Sequence, residues 1–569
     1  MSTRQTSPSP YRSPASPVSR PGVLQGALAG LLAAATGLAA GELLSGLNRK
    51  LTSPVIGVGN RAVDLVPQPL KRFAIRQFGT HDKQALLIGM FAAIAIFAIV
   101  VGILATRRKL IGIIGLTAFG ALGALAAVTG RTGSLSDALP SILAAVVAIV
   151  MLMGLLGAAR GTHPNPAAAS PGPGSVTTPR NAPDDMLGRI MAKIQDGEPA
   201  RVTATASAPA VSPAVSRRGF LALSGAAAVA AAGMGTAGRL LQRSTGSIKA
   251  RASLVLPKAR KPLAAAPAGV SVPELNDATP FFTPNNKFYR IDTALEVPKI
   301  DVDTWELKIK GMVGQERTYT YEDLLSRNLV ERDITLTCVS NEVGGILMGN
   351  ARWLGVPLKE LLDEAEVQNG ATQIVGRSVD GWTSGFPTKL AMDGRDAMVA
   401  IAMNGEPLPF AHGFPARLII PGIYGYVSAT KWLTEIELTT LEDFDAYWVP
   451  RGYAKEAPIK LASRIDVPRG LSTIPAGKAA VAGVAWAQTV GIAKVEVKID
   501  DAEWKEAVLA DEQSVDTWRQ WHLEWDATTG SHSISVRATD KNGKLQQEDR
   551  KAPLPNGATG WHQIISLVS

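Results

Sequence analysis

The chain has one cysteine, Cys338, in 569 residues. No intrachain disulfide can form, and neither a cysteine-held structural zinc nor an iron–sulfur cluster has the thiolates it needs. Histidine is almost as scarce, at six residues, and His81 and His163 flank the long apolar runs of the first half without entering them. A bis-histidine haem in a bilayer would therefore have no ligands. Charge is missing from those runs too, whereas the last 300 residues carry the tryptophans and most of the Asp and Glu. The net charge of +9 sits largely in Arg and Lys beside apolar runs. No compact basic patch with interleaved aromatics occurs, which argues against a nucleic-acid partner.

What the sequence does have is apolar length. Four stretches, near 23–47, 84–105, 110–128 and 139–158, hold no Lys, Arg or Asp in their interiors. Each is about the 20 residues a helix needs to cross a bilayer core. The pattern predicts a disordered Ser/Pro/Arg-rich tail over 1–20 and a four-helix transmembrane region over 21–158. Arg4, Arg12, Arg20, the Arg107-Arg108-Lys109 turn and Arg160 all fall on the cytoplasmic side if the N-terminus is inside. The 48–83 loop is basic yet falls outside, and its run from Val55 to Phe78 mixes apolar and basic residues as a segment lying along lipid headgroups would. A Pro/Ala/Ser/Thr-rich cytoplasmic linker follows over 159–215. Residues 216–237 begin Ser216-Arg217-Arg218-Gly219-Phe220-Leu221 and continue Ala/Gly-rich. This reads as a fifth membrane helix and resembles a twin-arginine export signal. Either way the rest of the chain is directed outward. The expectation is a multi-pass protein of the cell membrane, in contact with lipid, whose C-terminal part is extracytoplasmic.

After a second linker, 238–275, the pattern becomes α+β over 276–455. Trp305 to Lys310 alternate like a half-buried strand, and 321–326 and 357–366 have helical spacing. From 456 to 569 short strands and turns dominate. Val495, Val497 and Ile499 alternate, as do Ile534 and Val536, and Lys541-Asn542-Gly543 marks a turn. Trp486, Trp504, Trp518, Trp521 and Trp525 would supply bulk for a β-sandwich core. The expected fold is multi-domain: an α-helical transmembrane region, an α+β domain, then an all-β Ig-like sandwich.

Cys338 follows the alternating run Ile334-Thr335-Leu336-Thr337, at a strand end that leads into a loop. A thiolate there suits a soft, high-valent metal, although a lone cysteine is as readily a small buried hydrophobe. The surroundings decide. Around it stand Phe282-Thr283-Pro284-Asn285-Asn286-Lys287-Phe288-Tyr289-Arg290, then Gly349-Asn350-Ala351-Arg352-Trp353-Leu354-Gly355. Further on come Met403-Asn404-Gly405-Glu406-Pro407-Leu408-Pro409, His412-Gly413-Phe414-Pro415-Ala416-Arg417-Leu418 and Lys431-Trp432-Leu433. In these ordered blocks, over roughly residues 280–569, the chain resembles the sulfite oxidase family of molybdopterin-dependent oxidoreductases, in a membrane-anchored, actinobacterial-like form.

That resemblance implies a molybdopterin-binding oxidoreductase domain over 276–455 and an Ig-like dimerisation domain over 456–569. It implies one pterin per molybdenum, with Cys338 as the sulfur ligand. Asn286, Tyr289 and Arg290 match the segment that touches the pterin and the substrate pocket. His412 and Arg417 match the positions that hold the pterin phosphate and ring, Thr430 and Lys431 the loop that grips the same group, and Ser378 a further cofactor contact. Tyr453 resembles a tyrosine that reaches the metal site, so Cys338, Arg290 and Tyr453 form the implied catalytic set. The chemistry is consistent, because a phosphate needs cationic donors, and Arg417 can bind it bidentately while Lys431 acts as a point charge. Taken singly, Arg417 would read as a surface residue beside a proline and Lys431 as a partner of Glu435.

The pattern departs from the family after the cysteine. Sulfite-oxidising members carry two arginines there, where this chain has Glu342-Val343, and no substrate arginine is evident in Pro555-Asn556-Gly557-Ala558. An anion in a dry pocket needs cationic partners. Oxygen-atom transfer on a sulfoxide or similar small substrate is therefore expected. The alternatives are oxidation of sulfite to sulfate, or a non-catalytic cell-surface protein with a retained fold, against which Cys338, His412 and Arg417 speak. With no haem and no iron–sulfur centre of its own, such an enzyme needs a separate electron partner, a cytochrome or a quinone-linked protein. The C-terminal domain would make a homodimer.

Overall fold

The computed structural model describes residues 21–48, 50–67, 69–70, 73, 77–78, 82–160, 217–242, 245–272 and 278–569. The 1–20 tail, the 159–215 linker beyond Arg160, Ser216, and Arg49, Lys71, Arg72 and Arg76 of the basic loop lie outside them.

The first half is helical: α1 (Val23–Leu47), α2 (Pro54–Leu65), α3 (Asp82–Arg107), α4 (Lys109–Val128), α5 (Leu139–Arg160) and α6 (Arg217–Gln242). Five of these, all but α2, are long and apolar enough to cross a membrane. The short helix is set by its ends: Ser53 accepts the Ile56 N–H at 3.3 Å, and Pro54 opens the first turn.

The chain divides into two compact units. The smaller comprises Met1–Gly41, Ala92–Ala121 and Ile142–Thr236. Its core is Ala29, Ala33, Val101, Ala105, Leu152, Leu155 and Leu156. Glycines bring two helices into backbone contact: a Cβ on Gly30 would lie 2.0 Å from the Ala98 carbonyl oxygen, and one on Gly102 2.2 Å from that of Gly26. Such close approach is how helices gain dispersion energy where no water drives them together.

The larger unit comprises Glu42–Phe91, Leu122–Ser141 and Ala237–Ser569. Its chain enters through α7 (Thr245–Ser253), inside the stretch expected to be a linker. Tertiary contacts order this stretch. Arg251 donates to the carbonyls of Leu408 at 2.7 Å and Pro407 at 2.6 Å, and the Arg260 N–H reaches the Leu329 carbonyl at 3.0 Å.

The α+β part then runs β1 (Glu306–Gly311), β2 (Arg317–Thr320), α8 (Tyr321–Leu325), β3 (Val330–Thr337), β4 (Met348–Pro357), α9 (Leu358–Glu364), β5 (Gln373–Ser378), β6 (Thr383–Pro387), α10 (Lys389–Met392), β7 (Met398–Met403), β8 (Glu406–Pro407), β9 (Arg417–Ile419), α11 (Gly425–Ser428) and β10 (Leu433–Thr439). One sheet has the order β2-β1-β10-β5-β6, and the other β3-β4-β7-β8 with β9 also paired to β7. The antiparallel register of β3 on β4 sets Thr337 opposite Met348, so that Cys338 leaves the sheet at its end.

The last part contains β11 (Ala462–Val467), β12 (Thr473–Ile474), β13 (Gly477–Trp486), β14 (Ile492–Ile499), β15 (Lys505–Glu506), β16 (Val508–Leu509), β17 (Arg519–Ala527), β18 (Gly530–Asp540) and β19 (His562–Val568). They form two sheets, β11-β13-β17-β16 and β12-β19-β18-β14-β15, around a shared apolar core. The tryptophans divide differently from expectation. Trp521 and Trp525, four apart on one face of β17, enter that core. Trp486 and Trp518 instead pack with Phe281 and Met348, and Trp504 meets Trp561 edge-on at 5.0 Å.

Candidate active site

The end of β3 is held by the β-sandwich part. The Thr335 N–H donates to the Asp516 carbonyl at 3.0 Å, and its hydroxyl accepts the Trp518 N–H at 2.8 Å and donates to Asn350 Oδ1 at 3.1 Å. From this fixed strand the chain turns at Cys338, whose N–H donates to the Leu347 carbonyl at 2.9 Å and whose carbonyl accepts the Asn341 N–H at 3.0 Å. Asn341 closes the turn by accepting the Leu347 N–H on Oδ1 at 2.8 Å. Burial pushes the Cys338 thiol up, opposed by hydrogen bonds from Ser340 and by the charge of Lys431. The neighbouring Thr337 hydroxyl is buried with no partner.

A set of cations stands around this turn. Arg417 is buried, 5.2 Å from the centre of the Trp353 ring, and among the described residues donates only to the His412 carbonyl at 3.1 Å and the Ala429 carbonyl at 3.5 Å. Its Nε has no partner among the described residues, and burial pushes its pKa down to about 10. Lys431 donates to Asp292 Oδ2 at 2.9 Å and to the Ala411 carbonyl at 3.2 Å. Burial brings its pKa down to about 8 against the pull of Asp292. Lys431 does not pair with Glu435, which is bound by Lys310 and Arg377. Gly413, at φ +110°, lets the two segments meet, since a Cβ there would lie 3.0 Å from the Lys431 Cβ. His412 donates from Nε2 to the Asn285 carbonyl at 3.0 Å; burial, then Lys431, pushes it down to about 4, so it is neutral at physiological pH. Tyr289 stacks on Phe288 at 5.3 Å. Burial, with the nearby Cys338, raises its phenol well above the usual range, and Arg417 opposes this.

Of the remaining predicted residues, Arg290 shares the Asp292 carboxylate with Lys431. Arg290 is turned onto Asp292, with Nε 2.9 Å from Oδ2. Asn286 is exposed, and its neighbour Asn285 makes the contacts, accepting the Asn404 Nδ2–H at 2.8 Å in addition to its bond with His412. Thr430 spends its hydroxyl inside the fold on Ser384 at 2.6 Å and the Gly376 carbonyl at 3.3 Å. Ser378 is buried at the end of β5, opposite Leu433. Tyr453 packs against Tyr426 and Trp448, each 5.3 Å away between ring centres.

Beside the Cys338 turn lies a small, open hollow. Thr337, Asn341, Glu342-Val343-Gly344, Tyr424, Trp486 and Ala558-Thr559-Gly560 form its walls with Ala462 and Ser463, and none of these is Lys or Arg. Tyr424 was not singled out from the sequence and Trp486 was expected in the β-sandwich core, because nothing local distinguishes either from a packed aromatic. Burial pushes the Tyr424 phenol up to about 12, so its hydroxyl keeps its proton.

Residues 294–448 match the oxidoreductase molybdopterin binding domain. The chain is 28% identical over 342 residues to the mitochondrial sulfite oxidase of Homo sapiens, covering 51% of this chain and 62% of that one. It is 31% identical over 153 residues to the uncharacterized oxidoreductase YuiH of Bacillus subtilis (strain 168), covering 27% of this chain and 74% of YuiH. The chain belongs to the sulfite oxidase family of molybdopterin-dependent oxidoreductases. Among solved structures, the sulfane dehydrogenase SoxCD of Paracoccus pantotrophus aligns at 22% identity and a TM-score of 0.45, covering 51% of this chain and 84% of that one. Against the human sulfite oxidase the chain spans about three-fifths of the relative's length.

The residues present suit the family's cofactor. A buried guanidinium without a counter-charge is strongly destabilising by itself, so the surroundings of Arg417 call for an anion such as a phosphate monoester. A soft thiolate at Cys338, with the unpartnered Thr337 hydroxyl beside it, suits molybdenum.

Proposed function

We propose that this protein is a membrane-anchored oxidoreductase whose catalytic part lies outside the cytoplasmic membrane and removes oxygen from a small neutral oxygen donor, a sulfoxide or a close analogue. Cys338 would bind molybdenum, and Arg417, Lys431 and His412 would hold the pterin and its phosphate. The bound group supplies the two-electron oxygen-atom transfer that no amino-acid side chain performs.

The protein's own residues do the rest. Arg417 and Lys431 present fixed cations to the phosphate, while neutral His412 keeps that wall rigid through its bond to Asn285. Tyr424 offers a protonated hydroxyl to the substrate oxygen, and Trp486 and Val343 shelter the carbon substituents. A sulfoxide gives up its oxygen by taking two electrons and two protons, leaving a thioether and water. The electrons would come from a separate redox protein. The β-sandwich is read as Ig-like and as the homodimer surface, and Arg217-Arg218 as the export signal.

The observation that carries the substrate reading is the absence of Lys and Arg from the walls of the hollow. A sulfite anion there would lose its hydration without gaining a cationic partner. Turnover of the full-length protein in detergent, with methyl sulfoxides and a reduced dye against sulfite and an oxidised dye, tests it. Sulfoxide reduction is the expected result, and sulfite oxidation alone would replace this reading with the sulfite oxidase activity of the family.

A further inference from the structure

The loop 290–295 is gripped from three places in the N-terminal half of the chain. Lys83, in the first turn of α3, reaches Asp292 Oδ1. Arg131, in the loop after α4, donates from Nη1 to the Thr293 hydroxyl at 2.8 Å. Gly59 of α2 lies so close that a Cβ there would stand 2.3 Å from Leu295 Cδ2. Thr293, Ala294 and Leu295 are all buried.

Arg131 is itself anchored. It holds Asp64 of α2 through Nε at 3.1 Å, and the Tyr447 hydroxyl donates to the same carboxylate at 2.7 Å. The Arg451 guanidinium covers the Tyr447 ring at 3.7 Å from its centre. At Gly381, φ +76°, a Cβ would stand 2.6 Å from the Arg131 Cβ, so only glycine lets this loop seat. A basic loop expected along lipid headgroups is thus, in α2 and Lys83, partly engaged with the oxidoreductase domain.

Asp292 is the hub of this clasp. Burial would raise its pKa, but Lys431, Lys83 and Arg290 outweigh that and hold the carboxyl well below the usual range. With three cations on one carboxylate, positive charge remains in excess beside Arg417, as a phosphate dianion requires.

We propose that Lys83, delivered by the N-terminal half, is a positioning residue for the cofactor: through Asp292 it sets Lys431 and supplies part of the charge that retains the phosphate-bearing pterin. The helices would then complete the cofactor site as well as anchor it. This rests on the reading of Arg417 and Lys431 as the phosphate site.

The test follows pterin loss from cofactor-loaded, full-length protein in detergent, by the fluorescence of released, oxidised pterin. Lys83→Met should release pterin about tenfold faster than the parent, the low end of the range for outer-shell partners, since Lys83 acts on Lys431 through Asp292. Lys83→Arg, which keeps the charge, should restore slow release. If Lys83→Met retains pterin like the parent while Arg417→Met loses it, the role of Lys83 is overturned and the phosphate site stands. If Arg417→Met also retains pterin, the phosphate site itself falls. A Lys83→Met protein whose cofactor-free melting temperature drops while its pterin release is unchanged also overturns the proposal, because it assigns Lys83 a purely structural role. Should the methionine variant not fold, Lys83→Gln is judged by the same release rates.

Discussion

Arg417 lies under the face of Trp353, 5.2 Å from the ring centre, with only backbone carbonyls for hydrogen-bond partners among the described residues. An uncompensated buried cation weakens the cofactor-free fold. Arg417→Met should therefore raise the thermal stability of the cofactor-free protein, by about 1–4 kcal/mol on the precedent of buried ion pairs replaced by apolar side chains. The same variant should purify without pterin. Melting curves and pterin content, measured on one preparation, check both halves.

The hollow beside Cys338 makes its own prediction. Val343→Arg adds a cation to a wall that has none. A charge-assisted hydrogen bond contributes about 1.5–3 kcal/mol, so binding of sulfite as substrate or inhibitor should tighten by roughly tenfold or more. Neutral sulfoxides should gain nothing. Inhibition constants for sulfite in the parent and the variant decide it.

Much of this architecture is legible locally. Alternation marks β3 and places Cys338 at its end, and apolar length marks the five long helices, because both signals depend only on near neighbours. The predicted helices at 321–326 and 357–366 appear as α8 and α9 with slightly shorter bounds. What escaped is long-range. Asp64 and Tyr447 are 383 residues apart, and Lys83 and Asp292 are separated by 209, so no local pattern pairs them. That Asn285 meets His412 while Asn286 is exposed depends on which way a loop residue faces, which spacing does not encode. Asp292 carried a usable signal, an acidic residue two places after Arg290.

Stability should depend on pH through His562. Burial, then Arg464, pushes it down to about 4 from 6.5, and its Nδ1 accepts the Ile465 N–H at 2.9 Å. Between those values the unfolded chain binds a proton that the folded one refuses, so stability falls as pH drops through this window. Asp516, pushed up to about 6 by burial, acts in the opposite direction. Comparing His562→Gln with the parent isolates the histidine. The variant's melting temperature should decline less between pH 6.5 and 4, by the equivalent of roughly 2 kcal/mol.

Topology has a direct check. Replacing Arg217 and Arg218 together by lysine keeps the positive charge but removes the guanidinium pair. If the pair is a twin-arginine signal, a C-terminal reporter should stay cytoplasmic in the double variant and be exported in the parent. Export of both would mark the pair as an ordinary charged flank of α6.

The central claim is that Cys338 binds molybdenum at a pterin held by other residues. Metal and pterin content per chain, together with activity per folded molecule, in the full-length parent and in Cys338→Ser test it most directly. The parent should carry about one molybdenum and one pterin per chain. The serine variant should keep its pterin and its fold, within the range of about 1–3 kcal/mol for an ordinary point mutation, and lose turnover. A serine variant with undiminished activity per folded molecule, or a parent that binds neither molybdenum nor pterin, would contradict the account.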